Sequence, residues 1–318
     1  MNINRILIKS LSALYATSAN NRLSILMYHR TLKKPNHYHS TMCDAVLNQH
    51  FKILAENFKV LSLEKAVELL YQNKLPKNAV VITFDDGYAD NATVALPLLL
   101  KHQLTATFFI LPDYFKGGMM FNDRVMLALE HLPNGCYELT EGIDYQFHLT
   151  DKASRLTEII EIIKRIKHLP IEQRDLVSQN LFNLLTDKPK DNLMVTEQQV
   201  KLLHQKGMTI GGHTMTHPIL AKLDLGEAER EISDCYNVLS ELLKSPITTF
   251  AYPNGKKTLD YSNDHIELLK KAGYQIAVST EAGPATTQNN QFELPRYGPW
   301  QTDAKRFIYS FIQSRRLL

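Results

Sequence analysis

Two short stretches of this 318-residue chain carry residue types suited to hydrolytic chemistry. The first is Val81-Ile82-Thr83-Phe84-Asp85-Asp86-Gly87-Tyr88, where two adjacent carboxylates follow a β-branched, apolar run. Neighbours on an extended chain point in opposite directions, so Asp85 and Asp86 can reach two different partners from one place. A hydrolytic metal centre asks for a hard oxygen ligand and, beside it, a base for water. An Asp-Gly pair also closes strands as an ordinary turn, and the stretch alone leaves both readings open. The second stretch is His213-Thr214-Met215-Thr216-His217. Histidines four apart share one face of a helix, and on a tight loop after a strand they can also converge. Two imidazoles and one carboxylate leave a position open for water, the donor set of catalytic zinc.

The elements around these stretches alternate. Leu23–His29 reads as a first core strand, with His29 at its C-terminal end, where a barrel collects its chemistry but where a histidine also serves structure. Ser62 has the position of an N-cap for a helix over Leu63–Tyr71. Val80–Phe84, Thr105–Ile110, Met208–Gly212, Ile247–Tyr252 and Gln275–Ser279 read as further strands, with helices between them. Thr196-Glu197-Gln198-Gln199 is a capping-box sequence. This is the grammar of parallel βα units. It lapses over 113–192, read as an inserted helical segment at the catalytic rim in which 133–150 has no strong period. An unstructured loop of that length is improbable. Residues 23–318, the insertion included, are expected to form a single domain.

Composition narrows the class. The chain is 44% apolar and 22% charged, which is ordinary for a globular protein, and its net charge of +3 gives no argument for nucleic acid. Cys43, Cys136 and Cys235 lack CxxC spacing and are odd in number, so they are expected to be buried free thiols. No apolar run is long enough to span a membrane. Residues 1–22 read as an amphipathic helix with Ile6, Leu7, Leu11 and Leu14 on one face, or as a weak signal-like segment in which Lys9 interrupts the apolar core. That favours the cytoplasm, at the membrane face where saccharide precursors are built, over a periplasmic or secreted location.

Thr83-Phe84-Asp85-Asp86-Gly87-Tyr88 followed by His213-Thr214-Met215-Thr216-His217 resembles the polysaccharide deacetylases with a NodB homology domain, carbohydrate esterase family 4. Met27-Tyr28-His29-Arg30, Thr107-Phe108-Phe109, Phe250-Ala251-Tyr252-Pro253-Asn254-Gly255 and Leu294-Pro295-Arg296 extend the resemblance over 23–112 and 194–300. It implies an α/β fold, a distorted (β/α)7 barrel, that hydrolyses N-acetyl groups of amino sugars in a glycan or a lipid-linked saccharide, with peripheral membrane association for the latter. It further implies a divalent metal, Zn2+ or Co2+, on Asp86, His213 and His217. Asp85 becomes the general base for the attacking water, and the Asn254 backbone N–H becomes an oxyanion contact.

Two departures from the family pattern stand out. Ala251 occupies the place of the arginine that orients the base, and Arg296 is the candidate replacement. The Leu-x-His motif of the general acid is missing, which leaves His29 as the candidate acid or substrate contact. Tyr88, Tyr252, Tyr297 and Trp300 are candidate platforms for sugar rings, with packing at strand ends as the alternative. The competing functions are an amidase acting on a small non-sugar C–N bond and a carbohydrate-binding relic. Four retained site residues argue against the relic.

Overall fold

The structure, a computed structural model, describes residue 10 and residues 21–38, 42–188 and 192–314. The reading of 1–22 as a helix or signal-like segment falls almost wholly outside the described residues. In chain order the strands are β1 (Ser24–Tyr28), β2 (Lys59–Val60), β3 (Ala79–Phe84), β4 (Thr107–Ile110), β5 (Gly135–Leu139), β6 (Tyr145–Leu149), β7 (Thr209–Gly212), β8 (Thr249–Ala251), β9 (Ile276–Ala282) and β10 (Leu294–Arg296). The described chain falls into two units, and Gly117–Leu193 with Asn36–His39 makes the smaller one.

In the larger unit the strand order is β1-β3-β4-β7-β8-β9-β10, with β2 paired to the side of β3. Every pairing in it is parallel. A parallel bridge between Leu26 and Tyr297 joins the two ends, with Met27 N–H donating to the Tyr297 carbonyl and Tyr297 N–H to that of Ile25, both at 2.9 Å. The sheet is thereby nearly closed into a barrel. Parallel strands covered on both faces should be apolar throughout, and all six positions of β3 are buried. Alternation then sorts them: Val80, Ile82 and Phe84 join one core with the surrounding helices, whereas Val81 packs with Ile25, Phe109, Ala251, Val278 and Leu294 in a second. Thr83 and Asp85 continue the parity of Val81, and Arg296 that of Leu294.

Register sets the site. Tyr28 pairs with Phe84, Ile110 with Gly212, Gly212 with Phe250, and Ala251 with Val278. The residues that follow, His29, Asp85, His213 and Tyr252, therefore emerge at one rim, the C-terminal rim of the strands. Local signals hold where the sequence placed them. The Ser62 side chain accepts from Lys65 N–H at the start of helix Leu63–Tyr71, and Thr196 with Gln199 forms a capping box on helix Glu197–Gln205.

The smaller unit corrects the expectation of a purely helical segment. Helices Phe121–His131, Lys152–Ile166 and Ile171–Asn183 pack with an antiparallel β5–β6 hairpin around Val125, Leu129, Phe147, Leu149, Ile162 and Leu181. The hairpin does alternate, with Leu139, Phe147 and Leu149 buried and Cys136, Glu138, Gln146 and His148 exposed. Its remaining inward positions are half-buried, Gly135, Tyr137 and Tyr145, and they blur a two-residue period. Cys136 is thus exposed, contrary to expectation, while Cys43 and Cys235 are buried. Burial pushes the Cys235 thiol up to about 12.

Gly212 ends β7 directly before His213. A Cβ at Gly212 would stand 2.2 Å from the Tyr274 hydroxyl. Gly212→Ala is therefore expected to cost about 1–3 kcal/mol as an overpacked core position. Thermal unfolding beside wild type checks this, and an unchanged melting temperature would show that the strand has slack.

Candidate metal centre

Asp86 Oδ1 lies 3.3 Å from His213 Nε2 and 3.5 Å from His217 Nε2. All donors of this set fall within 4.8 Å of one another, and among the described residues no other group of three His, Cys, Asp or Glu does so. A tetrahedral cation with ligand bonds of about 2.0–2.1 Å holds its donors about 3.3 Å apart, so the residues fit a zinc-sized ion. The tautomer fits as well. His213 Nδ1 is 2.7 Å from the Ala251 carbonyl, which can only accept, so Nδ1 carries the hydrogen and Nε2 presents its lone pair. Burial raises the Asp86 pKa, but when the imidazoles are protonated a hydrogen bond from His213 and the charges of His29, His217 and His213 outweigh it and hold the carboxyl well below its usual range; a cation held by the neutral imidazoles would act in the same direction. Three non-glycine residues here adopt left-handed backbone, Asp86 (φ 71°), Thr214 (φ 69°) and His217 (φ 63°). That strain persists only where the surroundings enforce it.

Asp85, 2% exposed, points into the barrel and meets Arg296, which is equally buried. Arg296 Nη1 donates to Oδ1 and Nη2 to Oδ2, both at 2.7 Å. Arg296 Nε donates to the Ser279 carbonyl at 2.8 Å and Nη1 also to Thr83 Oγ1 at 3.2 Å. Two-pronged pairing of this kind fixes orientation as well as charge. Burial alone would raise the Asp85 pKa, but the Arg296 charge and hydrogen bonds, helped by His213 and His29, bring it below its ordinary value. The contacts of Thr83 and Ser279 with Arg296 escaped the sequence reading, since a hydroxyl and a backbone carbonyl give no sign of their partner.

His29 Nε2 stands 3.9 Å from Asp85 Oδ2, and its buried Nδ1 has no partner among the described residues. Its segment is held from below: Asn91 Nδ2 donates to the His29 carbonyl at 2.9 Å, and Thr31 N–H donates to Asp90 Oδ1 at 2.9 Å. Asp90 and Asn91 were also missed, although they follow the Asp-Asp stretch by one helical turn. Asn254 sits at φ 59°, and its N–H meets no acceptor among the described residues.

The aromatic platforms need correction. Tyr88 is buried, with the Arg30 guanidinium over its ring. Tyr252 is buried too, stacked on Tyr261 at 3.7 Å, and its hydroxyl donates to the Phe292 carbonyl. Tyr297 closes the barrel, and its hydroxyl is engaged by Gln301 and Ser310. Tyr88 and Tyr252 are packed away in the segments that follow their strands, and Tyr297 is half-buried with its hydroxyl occupied, so packing is the role their surroundings favour. Trp300 alone of the four is open, 64% exposed, its ring 6.1 Å from that of His29.

Arg296→Met removes the cation that lowers the Asp85 pKa, so the carboxylate ionises at higher pH. The acidic limb of the pH–rate profile should move upward by about 1–3 units, and metal content should stay intact. Arg296→Lys should recover only part of this, because a point charge cannot form the planar fork. An unmoved limb in Arg296→Met would show that this arginine does not set the base.

A sequence model of the family described as polysaccharide deacetylase matches residues 72–137 and 171–277, more than half of the chain. YxkH of Bacillus subtilis, whose name places it among the polysaccharide deacetylases, is 24% identical over 292 residues, 90% of this chain and 74% of that one. The poly-β-1,6-N-acetyl-D-glucosamine N-deacetylase of Staphylococcus epidermidis is 29% identical over 140 residues, 40% of this chain and 47% of that one. The solved structure of the Streptococcus pyogenes deacetylase PplD in complex with acetate is 20% identical, with a TM-score of 0.62, and covers 92% of this chain and 98% of its own. The fold is thus shared with that deacetylase. The matched segments take in both the strand that delivers Asp85 and Asp86 and the strand that delivers His213, and the chain belongs to the polysaccharide deacetylase family.

Proposed function

We propose that this chain is a metal-dependent N-deacetylase of amino-sugar polymers of the N-acetylglucosamine class. The observation that carries the reading is the juxtaposition of the Asp86, His213 and His217 donor set with a second carboxylate, Asp85, held by a buried arginine. The named activity of the Staphylococcus epidermidis relative supports the polymer class. A divalent cation on those three residues, zinc or cobalt by its donors, would supply Lewis acidity for the acetamide carbonyl and acidify the attacking water.

The chain's own groups do the rest. Asp85 takes the water's proton on a lone pair that Arg296 leaves free, since each carboxylate oxygen can accept twice. The Asn254 N–H, which has no acceptor among the described residues, would serve the oxygen that gains charge at the tetrahedral stage. In this reading His29 gives a proton to the departing amine as the C–N bond breaks, and its 3.9 Å approach to Asp85 supports that role. Trp300, beside His29, offers a flat apolar face to a pyranose ring.

Purified protein with Zn2+ or Co2+ should release acetate from N-acetylglucosamine oligomers and leave free amines. Asp85→Asn should keep its metal and lose about 10²–10⁴-fold in turnover, the usual scale for a general base. His217→Ala should lose metal and activity together. Metal-replete protein that releases no acetate from the oligomers would contradict the reading. Loss of metal in Asp85→Asn with retention in Asp86→Asn would exchange the two roles.

A further inference from the structure

The turn between the two histidines has an anchor outside itself. Glu231 lies on helix Leu225–Leu243, and its Oε2 accepts from two successive backbone N–H groups, Met215 at 2.8 Å and Thr216 at 3.0 Å. Its Oε1 accepts from the Thr216 hydroxyl at 2.7 Å. Successive N–H groups that converge form a small anion-binding nest. Here the anion is supplied from within the chain. Inside the turn, His217 N–H donates to Thr214 Oγ1 at 3.1 Å, and the Thr214 hydroxyl donates to the His213 carbonyl. Thr214 and His217, the two left-handed residues, bracket the segment that Glu231 grips. Cys235 stands one turn along the same helix and is fully buried against the barrel, so the carboxylate projects from a fixed support.

Nothing else in the 214–216 segment requires a carboxylate. What the turn accomplishes is to bring His217 Nε2 round to the oxygen that His213 Nε2 also faces, at 3.5 and 3.3 Å. We infer that Glu231 is a positioning residue for the metal centre: by clamping the Met215 and Thr216 amides it fixes the separation of the His213 and His217 donors before any ion arrives. The inference rests on the metal reading above. It assigns the clamp to geometry and not to charge, and the two can be separated. In Glu231→Gln the amide oxygen can still accept from both N–H groups, while its NH2 faces a Thr216 hydroxyl that can turn to accept. Glu231→Asp keeps the charge but is one methylene short of the turn. Glu231→Ala removes every contact.

The test is zinc affinity of the metal-free full chain, by competition with a chromophoric chelator, together with the visible spectrum of the Co2+-loaded protein. Far-UV circular dichroism first identifies which variants are folded. Glu231→Ala and Glu231→Asp should bind zinc about 10–100-fold more weakly, the scale for losing a group that supports a ligand, and shift the Co2+ bands. Glu231→Gln should stay close to wild type in both. If Glu231→Ala does not fold, the contrast between Glu231→Asp and Glu231→Gln decides the matter alone. Wild-type affinity and an unchanged spectrum in Glu231→Asp would overturn the inference, as would Glu231→Gln binding as weakly as Glu231→Asp. His217→Ala separates this failure from that of the underlying reading: if it binds zinc as wild type does, the metal assignment itself falls.

Discussion

A carboxylate and a guanidinium have been taken out of water in the middle of a barrel, and the rest of the site follows from keeping that pair together. Removing one partner of such a buried pair typically costs about 3–5 kcal/mol, because the other is left charged and unsolvated. Asp85 and Arg296 are 211 residues apart, and they meet only when β10 has docked beside β9 and Tyr297 has bridged to β1. Closing the barrel and pairing Asp85 with its cation are therefore one event. A buried ion pair is weak evidence for stability. What the two-pronged contact fixes is the orientation of the Asp85 carboxylate relative to β10.

The donor set shows the same logic one step further out. Ala251, where the family pattern has an arginine, contributes only its backbone, yet its carbonyl fixes the tautomer of His213. The cation is instead delivered from β10, to the interior face that Thr83 and Phe109 also line. A guanidinium can be moved two strands along, from β8 to β10, because the interior of a small barrel is narrow, so several strand ends reach the same few ångströms. Left-handed backbone at Asp86 and His217 points to the same economy of space, with these side chains aimed by the turn and not by a rotamer alone.

Much of this was legible in the sequence, for reasons that can be named. Asp85-Asp86 and His213-x3-His217 stood out because each follows a strand-like run, and parallel strands present their C-terminal ends on one rim. Ser62 and Thr196 were legible because capping is local chemistry. The β5–β6 hairpin was not, since its tyrosines dilute an alternation only five residues long. The aromatic platforms failed for a different reason. Type and position near a strand end say nothing about which face a ring occupies, and Tyr88 and Tyr252 turned inward while Trp300 turned out. Glu231 was invisible for a third reason. On an amphipathic helix a glutamate reads as a solvated face, and only the fold brings it to two amides fifteen or so residues upstream.

The central claim is that Arg296 acts through Asp85, and a double-mutant cycle addresses it most directly. Turnover of metal-saturated wild type, Asp85→Asn, Arg296→Met and the double variant would be measured on one oligomer at one pH. If the arginine serves only to hold and ionise the carboxylate, the double variant should be no slower than Asp85→Asn alone, a strongly non-additive cycle. Losses that multiply would contradict this and show that Arg296 touches the reacting groups in its own right.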